Sequence, residues 1–330
     1  MVHSIIGAKA APAAHGPQVQ RLVVDEGSEG QRLDNFLLRV LKGVPKTHVY
    51  RVIRSGEVRV NKGRASADTR LALGDEVRVP PVRVAESLAP SASAAPPREF
   101  AVLFEDEHLL AIAKPSGVAV HGGSGVAFGV IEQLRRARPE AKFLELVHRL
   151  DKETSGVLLL AKKRSALLVV QDQFRNRTGD KSIDKRYAAL VIGAWPANKK
   201  VIDVALHKTL DAQGERHVRP VAADHADGRR SITLVKVAKS FASFSLLDVT
   251  LKTGRTHQIR VHLANEGHAI VGDPKYGDFA LNRQMARGEH RFARMFLHAR
   301  QLVFEHPASG ERITLTAPLP ADCETLLKQL

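Results

Sequence analysis

A single cysteine, Cys323, stands in 330 residues, so no intrachain disulfide can form and no CxxC pair exists to hold zinc or a redox centre. A reducing compartment, the cytoplasm, is the expected setting. Long apolar runs are missing: Val157 to Ala161 is typical, far below the ~18–20 residues that span a bilayer, and no membrane partner is expected. Residues 1–18 are rich in Ala, Pro and Gly but have no apolar core or Arg-rich amphipathic pattern, which reads as a flexible tail. No GxGxxG follows a strand, and HGGSG at 121–125 lacks the lysine–hydroxyl pair of a Walker loop, so a nucleotide-binding Rossmann or P-loop domain is disfavoured. That segment reads as a substrate loop or a plain turn. The 15 histidines do not supply a metal site, because His257 and His262 miss the i, i+4 spacing of a helical zinc pair. Acidic residues are also short: 35 Asp and Glu face 50 Lys and Arg, a net charge of +15 that suits a polyanionic partner, nucleic acid first.

What is present divides the chain. A hydrophobic content of 44% supports a sizeable core, and this length points to two folded units. VAESLAPSASAAPP, residues 84–97, cannot bury a core and reads as a linker over 84–98, separating a module at 19–83 from a larger domain at 99–330. Residues 31–83 hold 12 Lys and Arg against 5 Asp and Glu, so charge is concentrated there. Leu33, Phe36, Leu37, Val40 and Leu41 recur at helical spacing, and a second helix follows Pro45 with Val49, Val52 and Ile53 inward. GEVRVN and DEVRVP alternate as half-buried strands. Lys46, Arg51, Arg54, Arg59, Lys62 and Arg64 are then left outside, either as a solvated face or, as the clustering favours, for phosphate contact.

Beyond residue 99, strand-like runs at 100–105, 109–114, 144–147, 157–162, 186–192, 231–237 and 244–251 alternate with helical ones at 126–138, 164–176 and 257–266, with Gly267 as a stop. The expected fold class is α+β, with a mixed, largely antiparallel sheet. LELVHRLDKETSGVLLLAKK, residues 144–163, sets Asp151 in a polar loop between two apolar strands, as a turn cap or as a catalytic carboxylate. Tyr187 falls on a strand, where a core aromatic is the ordinary role. In THQIRVHL, Thr256 is expected to cap a helix whose Ile259 and Leu263 face the core, leaving Arg260 off that face. Arg149 could touch phosphate, and His148 and His298 read as hydrogen-bonded structural residues.

Two resemblances sharpen these readings. QRLDNFLLRVLKG, VYRVIRSGEVRVNKGR and LGDEVRVPP resemble the RNA-binding module named after ribosomal protein S4, with Lys62 where glycine is common. HRLDKETSGVLLLAK, together with KPSGVAVHGG, KRYAALV, TGRTHQIRVHLANEGHAIVGD and FLHARQLVFEHP, resembles the RluA-type family of pseudouridine synthases over essentially the whole chain. Ala269 departs from a usual proline in a turn. The resemblance implies conversion of uridine to pseudouridine in large-subunit ribosomal RNA, free or in an assembly intermediate, without a cofactor, and a monomer is the expected state. It implies Asp151 as the catalytic carboxylate, acting by attack or by removing the C2′ proton. Tyr187 would stack on the uracil, Arg260 would pair with the aspartate, and Arg149 would fill the space left by the extruded nucleotide. The competing reading is a non-catalytic RNA-binding ribosome-assembly factor.

Overall fold

A computed structural model describes residues 18–25, 27–41, 44–82, 95–123, 126–175, 183–210 and 216–330. The expected tail, save residue 18, and residues 84–94 of the expected linker lie outside them. The chain divides into two compact units, Met1–Ala92 and Ser93–Leu330.

In the first unit, β1 (Gln20–Val23), α1 (Leu33–Val40), α2 (Lys46–Arg54), β2 (Arg59–Val60), β3 (Gly63–Arg64) and β4 (Glu76–Val79) follow in order. The four strands form one antiparallel sheet in the order β1-β4-β2-β3. The apolar stripes of both helices close onto it, with Leu33, Leu37, Val49 and Val52 packed against Val58 and Val77. Removing these side chains from water is the main force holding so small a unit together. Lys46, Arg51, Arg54, Lys62 and Arg64 are exposed as expected, but Arg59 is half-buried. Arg64 is also less free than its sequence suggests: its guanidinium donates to the carbonyls of Arg54 and Ser55 at 3.3 Å, satisfying the end of α2.

Asn61 and Lys62 form the β2–β3 turn at φ 49° and 69°, the left-handed region of a primed hairpin. That conformation explains the usual glycine there and costs a lysine roughly 1–2 kcal/mol. Lys62→Gly is therefore expected to stabilise this unit by about 1 kcal/mol. If Lys62 touches phosphate, the same change flattens the salt dependence of RNA binding by roughly 0.7 in log–log slope. Thermal unfolding and a salt titration of RNA binding check the two effects separately.

The second unit is built on a ten-stranded sheet. Its elements are β5 (Val102–Glu105), β6 (Leu109–Lys114), α3 (Val130–Ala137), β7 (Glu145–Leu146), β8 (Ser155–Ala161), α4 (Arg164–Arg175), β9 (Asp184–Ile192), β10 (Val201–Asp203), β11 (Ala205–Leu210), β12 (Arg216–Val221), β13 (Ile232–Ser240), β14 (Phe244–Leu251), α5 (Gln258–Asn265), α6 (Phe279–Arg287), β15 (Leu297–Glu305), β16 (Arg312–Thr316) and α7 (Ala321–Gln329). The order β10-β13-β14-β9-β15-β8-β6-β5 is antiparallel except between β15 and β8, with β16 on β15 and β7 on β8. β11 and β12 make a separate two-stranded ribbon. All seven residues of β8 are buried, which its unbroken apolar run requires of a strand covered on both faces.

The parallel β8–β15 contact fixes the middle of the sheet. Gly156, at φ 119°, lies against the Ala299 backbone so closely that a Cβ would overlap the carbonyl. Glycine is needed here for close approach as well as for φ. The loop leading into β8, which carries Asp151, is thereby seated against β15 and one strand from β9, which carries Tyr187.

Several boundaries differ from the sequence expectation. α3 begins at Val130 rather than 126, because the Glu132 carboxylate accepts from the Gly129 N–H at 2.8 Å and the Gly122 N–H at 3.1 Å, holding the preceding chain as loop. β10, β11, β12, β15, β16, α6 and α7 were not read from the sequence. No described helix is long and apolar enough to cross a membrane.

Candidate active site

The Asp151 loop ends in a turn closed by the Thr154 N–H on the Asp151 carbonyl at 3.1 Å. Behind it, Lys114 at the end of β6 is fully buried, and its ammonium donates to the carbonyls of Pro115, Val118 and Lys152 at 2.8, 2.7 and 3.0 Å. One amine thus ties the residue after Asp151 to the 115–118 turn. Burial pushes this amine down to about 7, against the pull of Glu153 and Asp151. Lys114 closes the apolar run LLAIAK and opens the motif KPSGVAVHGG, but was not singled out in the sequence.

Asp151, Arg149, Tyr187 and Arg260 all line one cavity of about 400 Å3, together with the apolar side chains of Val120, Leu150, Leu251 and Leu297. Four residues spread over 112 positions of sequence meet there because β8, β9, β14 and α5 converge. Arg149 is exposed at this cavity, while His148 behind it stacks on Phe174 at 5.0 Å and accepts from the Leu159 N–H at 3.1 Å. Burial, with Lys185 nearby, pushes His148 down to about 4 and keeps it neutral. Tyr187 titrates above its ordinary value, through burial first and the Asp151 charge second.

Arg260 is the pivot. Far from sitting on a solvent face, it is 5% exposed, and α5 is buried from Gln258 through Leu263. Its Nη1 donates to the Asp151 carboxylate at 3.4 Å, while Nε and Nη2 grip both oxygens of Asp273 at 2.8 Å. Such a two-pronged pair fixes the guanidinium plane. Burial works against the Asp273 carboxylate, yet Arg260 and the N–H groups of Tyr276 and Lys275 outweigh it and hold it below the usual carboxylate range. Asp273 is itself positioned by Gly272, at φ 76°, where a Cβ would overlap the Arg294 carbonyl.

Thr256 does not cap α5. The cap position is His257, at φ 52°, and Gln258 does the work instead, accepting from the Arg255 N–H at 3.0 Å and the Thr253 hydroxyl at 2.8 Å. His257 sits within 2.8 Å of the Tyr276 hydroxyl through Nδ1 and 3.9 Å from Asp151 through Nε2. Burial pushes its imidazole below the ordinary value despite Asp151. Asp273, Tyr276 and His257 were missed as site residues by the sequence reading. The quoted motif that begins at Thr253 ends on Asp273 and contains His257, but stops short of Tyr276.

His298 is 1% exposed and meets the Ser155 hydroxyl at 2.9 Å and the Ala317 carbonyl at 3.2 Å, a structural role as expected. Away from this cavity, His207, His225 and Asp227 bring donor atoms within 4.8 Å of one another. Of the named candidates, Arg149, Asp151, Tyr187 and Arg260 meet at the Asp151 cavity, whereas Lys46, Arg51, Arg54, Arg59, Lys62 and Arg64 belong to the first unit.

Among the described residues the arrangement offers one carboxylate, 30% exposed, at a cavity lined by apolar, neutral polar and cationic side chains, of which Arg260 is held in place. That is a setting in which a single carboxylate can act on a bound substrate beside apolar walls. Residues 108–265 match the sequence family described as RNA pseudouridylate synthase, and residues 31–77 match the S4 domain. The chain is 50% identical over 310 residues to the ribosomal large subunit pseudouridine synthase C of Yersinia pestis, covering 92% of this chain and 93% of that protein. The Escherichia coli protein of the same name is 46% identical over 318 residues, 95% of this chain and 97% of that one. Among solved structures, human RNA pseudouridylate synthase domain containing 4 aligns with a TM-score of 0.56 at 28% identity, over 69% of this chain and 92% of that chain. The chain therefore belongs to the RNA pseudouridylate synthase family, with an S4 domain ahead of its catalytic unit.

Proposed function

We propose that the uridines isomerised by this protein lie in large-subunit ribosomal RNA and that Asp151 is the catalytic carboxylate. The observation that carries the second part is the chain Asp151–Arg260–Asp273, a cavity-facing carboxylate held by a buried arginine that a second, buried carboxylate locks in place. The first part is supported by the names of the relatives and by the S4 domain. The lone cysteine fits a reducing compartment, and Asp151, Arg149, Tyr187 and Arg260 all come from one chain, which supports a monomer working in the cytoplasm.

The reaction breaks the N1–C1′ bond, turns the uracil, joins C5 to C1′, and moves one proton from C5 to N1. Asp151 acts at the sugar or the base while the uracil stays loose but confined. Both routes, attack and removal of the C2′ proton, need a carboxylate whose position does not drift, and Arg260 supplies that. The apolar walls keep water from the glycosidic bond, so that isomerisation outruns hydrolysis. Tyr187 stacks on the uracil, and Arg149 takes its place in the RNA helix once the nucleotide is extruded. The exposed cations of the S4 domain hold phosphates.

Incubating wild type and Asp151→Asn with unmodified large-subunit RNA, then mapping pseudouridine by carbodiimide labelling and primer extension, tests the reading. Stops with wild type alone support it; stops with neither protein, despite tight binding, favour an assembly factor. Stacking of one base is worth about 1–3 kcal/mol. Tyr187→Ala is thus expected to lower kcat/KM by roughly 10- to 100-fold, with Tyr187→Phe recovering most of the stacking share. Single-turnover kinetics of the two variants separates the ring from the hydroxyl.

A further inference from the structure

A second cavity, of about 510 Å3, opens beside the first and shares Arg255 and Thr256 with it. Its size is that of a small-ligand site, which runs ~300–1,000 Å3. The β11–β12 ribbon and the turn before β13 supply Leu206, His207, Lys208, Val218, Asp227 and Arg229. Lys208 and Arg229 are exposed, and with Arg255 they set three cations against one carboxylate, the exposed Asp227, among the described residues that line it. The floor is apolar and firm, Leu206 and Val218 packing on Val261 and Tyr276. In its wall the His207 Nδ1 is buried and has no hydrogen-bond partner among the described residues.

The nearby trio of His207, His225 and Asp227 raises a metal reading, which the surroundings oppose. The Asp227 N–H already occupies the His225 Nδ1 at 3.2 Å, and the three cations make this corner repel a divalent ion and attract an anion. The cavity is also tied to the carboxylate. The Val218 N–H donates to the Tyr276 hydroxyl at 3.3 Å, that hydroxyl meets His257 at 2.8 Å, and His257 reaches toward Asp151 at 3.9 Å.

We propose that this second cavity is a phosphodiester subsite, which takes the backbone phosphate of a nucleotide adjacent to the one held at Asp151. Lys208 and Arg229 grip the phosphate from the ribbon, and Arg255, common to both cavities, sets the register between the phosphate and the target base. The inference rests on the ribosomal RNA reading only for the choice of RNA. A contact made equally before and during the reaction changes KM and leaves kcat alone.

Steady-state kinetics on transcribed large-subunit RNA would compare wild type with the double variant Lys208→Ala, Arg229→Ala and with the charge-keeping Lys208→Arg, Arg229→Lys. Both positions are exposed, so folding is spared. The double alanine variant is expected to raise KM about tenfold with kcat within about twofold, and to flatten the salt dependence by ~0.7 for each lost contact, while the charge-keeping variant stays near wild type. Wild-type KM and salt slope in the double alanine variant overturn the subsite, and so does a fall in kcat alone. Failure of the ribosomal RNA reading looks different, because wild type itself then forms no pseudouridine on that RNA. In that event the salt slope of oligouridylate binding, read by fluorescence anisotropy on the same proteins, still decides the subsite.

Discussion

Asp151→Asn is expected to lower the rate of pseudouridine formation by on the order of 10⁴-fold, with RNA affinity within about threefold of wild type. The two effects separate because they arise in different places. In the proposed reading, binding draws on exposed Lys and Arg side chains of the S4 domain and of the catalytic unit, whereas the chemistry draws on one carboxylate, Asp151, 3.4 Å from the Arg260 guanidinium. An amide of the same shape still fills the loop between β7 and β8, and the Thr154 turn uses the Asp151 backbone carbonyl, which the substitution keeps. What disappears is the charge that attack on carbon or capture of the C2′ proton both require. Single-turnover assays with saturating enzyme, run beside anisotropy titrations on the same RNA, give both numbers. Equal loss of turnover and binding would show Asp151 to be a binding or folding residue, and normal ribosome assembly supported by the variant would favour the assembly-factor reading.

The place of Asp151, in a loop ahead of a central strand, was legible in the sequence for a local reason. Its motif is contiguous, and the run after it, SGVLLLA, is so apolar that it had to be a central strand. Helix α5 was legible in extent but not in its start. Its first turn is organised by Gln258, whose amide donates to Ile232 and Thr233 on β13 at 3.0 Å, and no local cap signal reports a partner 25 residues away. Strand β15 was missed because His298 and Gln301 break its apolar pattern, although His298 is buried and satisfied from Ser155 and Ala317. A polar residue in a central strand is stable when partners wait in the fold, and those partners are 143 and 19 residues distant. The grip of Asp273 on Arg260 was hidden in the same way: 13 residues separate them, and only Gly272, packed on the Arg294 backbone, turns the carboxylate inward. Period alone set Arg260 off the core face because it sorts a helix into two faces, whereas α5 is buried on every side from Gln258 through Leu263.

Asp273→Asn is expected to reduce kcat by roughly 10²-fold, to change KM little, and to destabilise the catalytic unit by about 3–5 kcal/mol. Asp273 is 0% exposed and Arg260 5%, so the substitution leaves a buried guanidinium facing a neutral amide, a charge the interior does not solvate. Arg260 then turns toward its one remaining carboxylate, Asp151, and the reacting group shifts with it. The pH dependence identifies the cause. The Asp273 pKa lies below its unfolded value of ~3.9, so its contribution is fully present above about pH 4 and is lost as pH falls toward the folded pKa. Wild type should therefore lose stability more steeply than Asp273→Asn on acidification below about pH 4, and the two unfolding curves should converge there. Denaturant unfolding at a series of pH values, with kcat and KM measured at neutral pH, checks each part. A variant that is less stable but turns over at the wild-type rate would make Asp273 a structural anchor alone, and one with normal stability and normal kcat would remove the Asp151–Arg260–Asp273 chain from the mechanism.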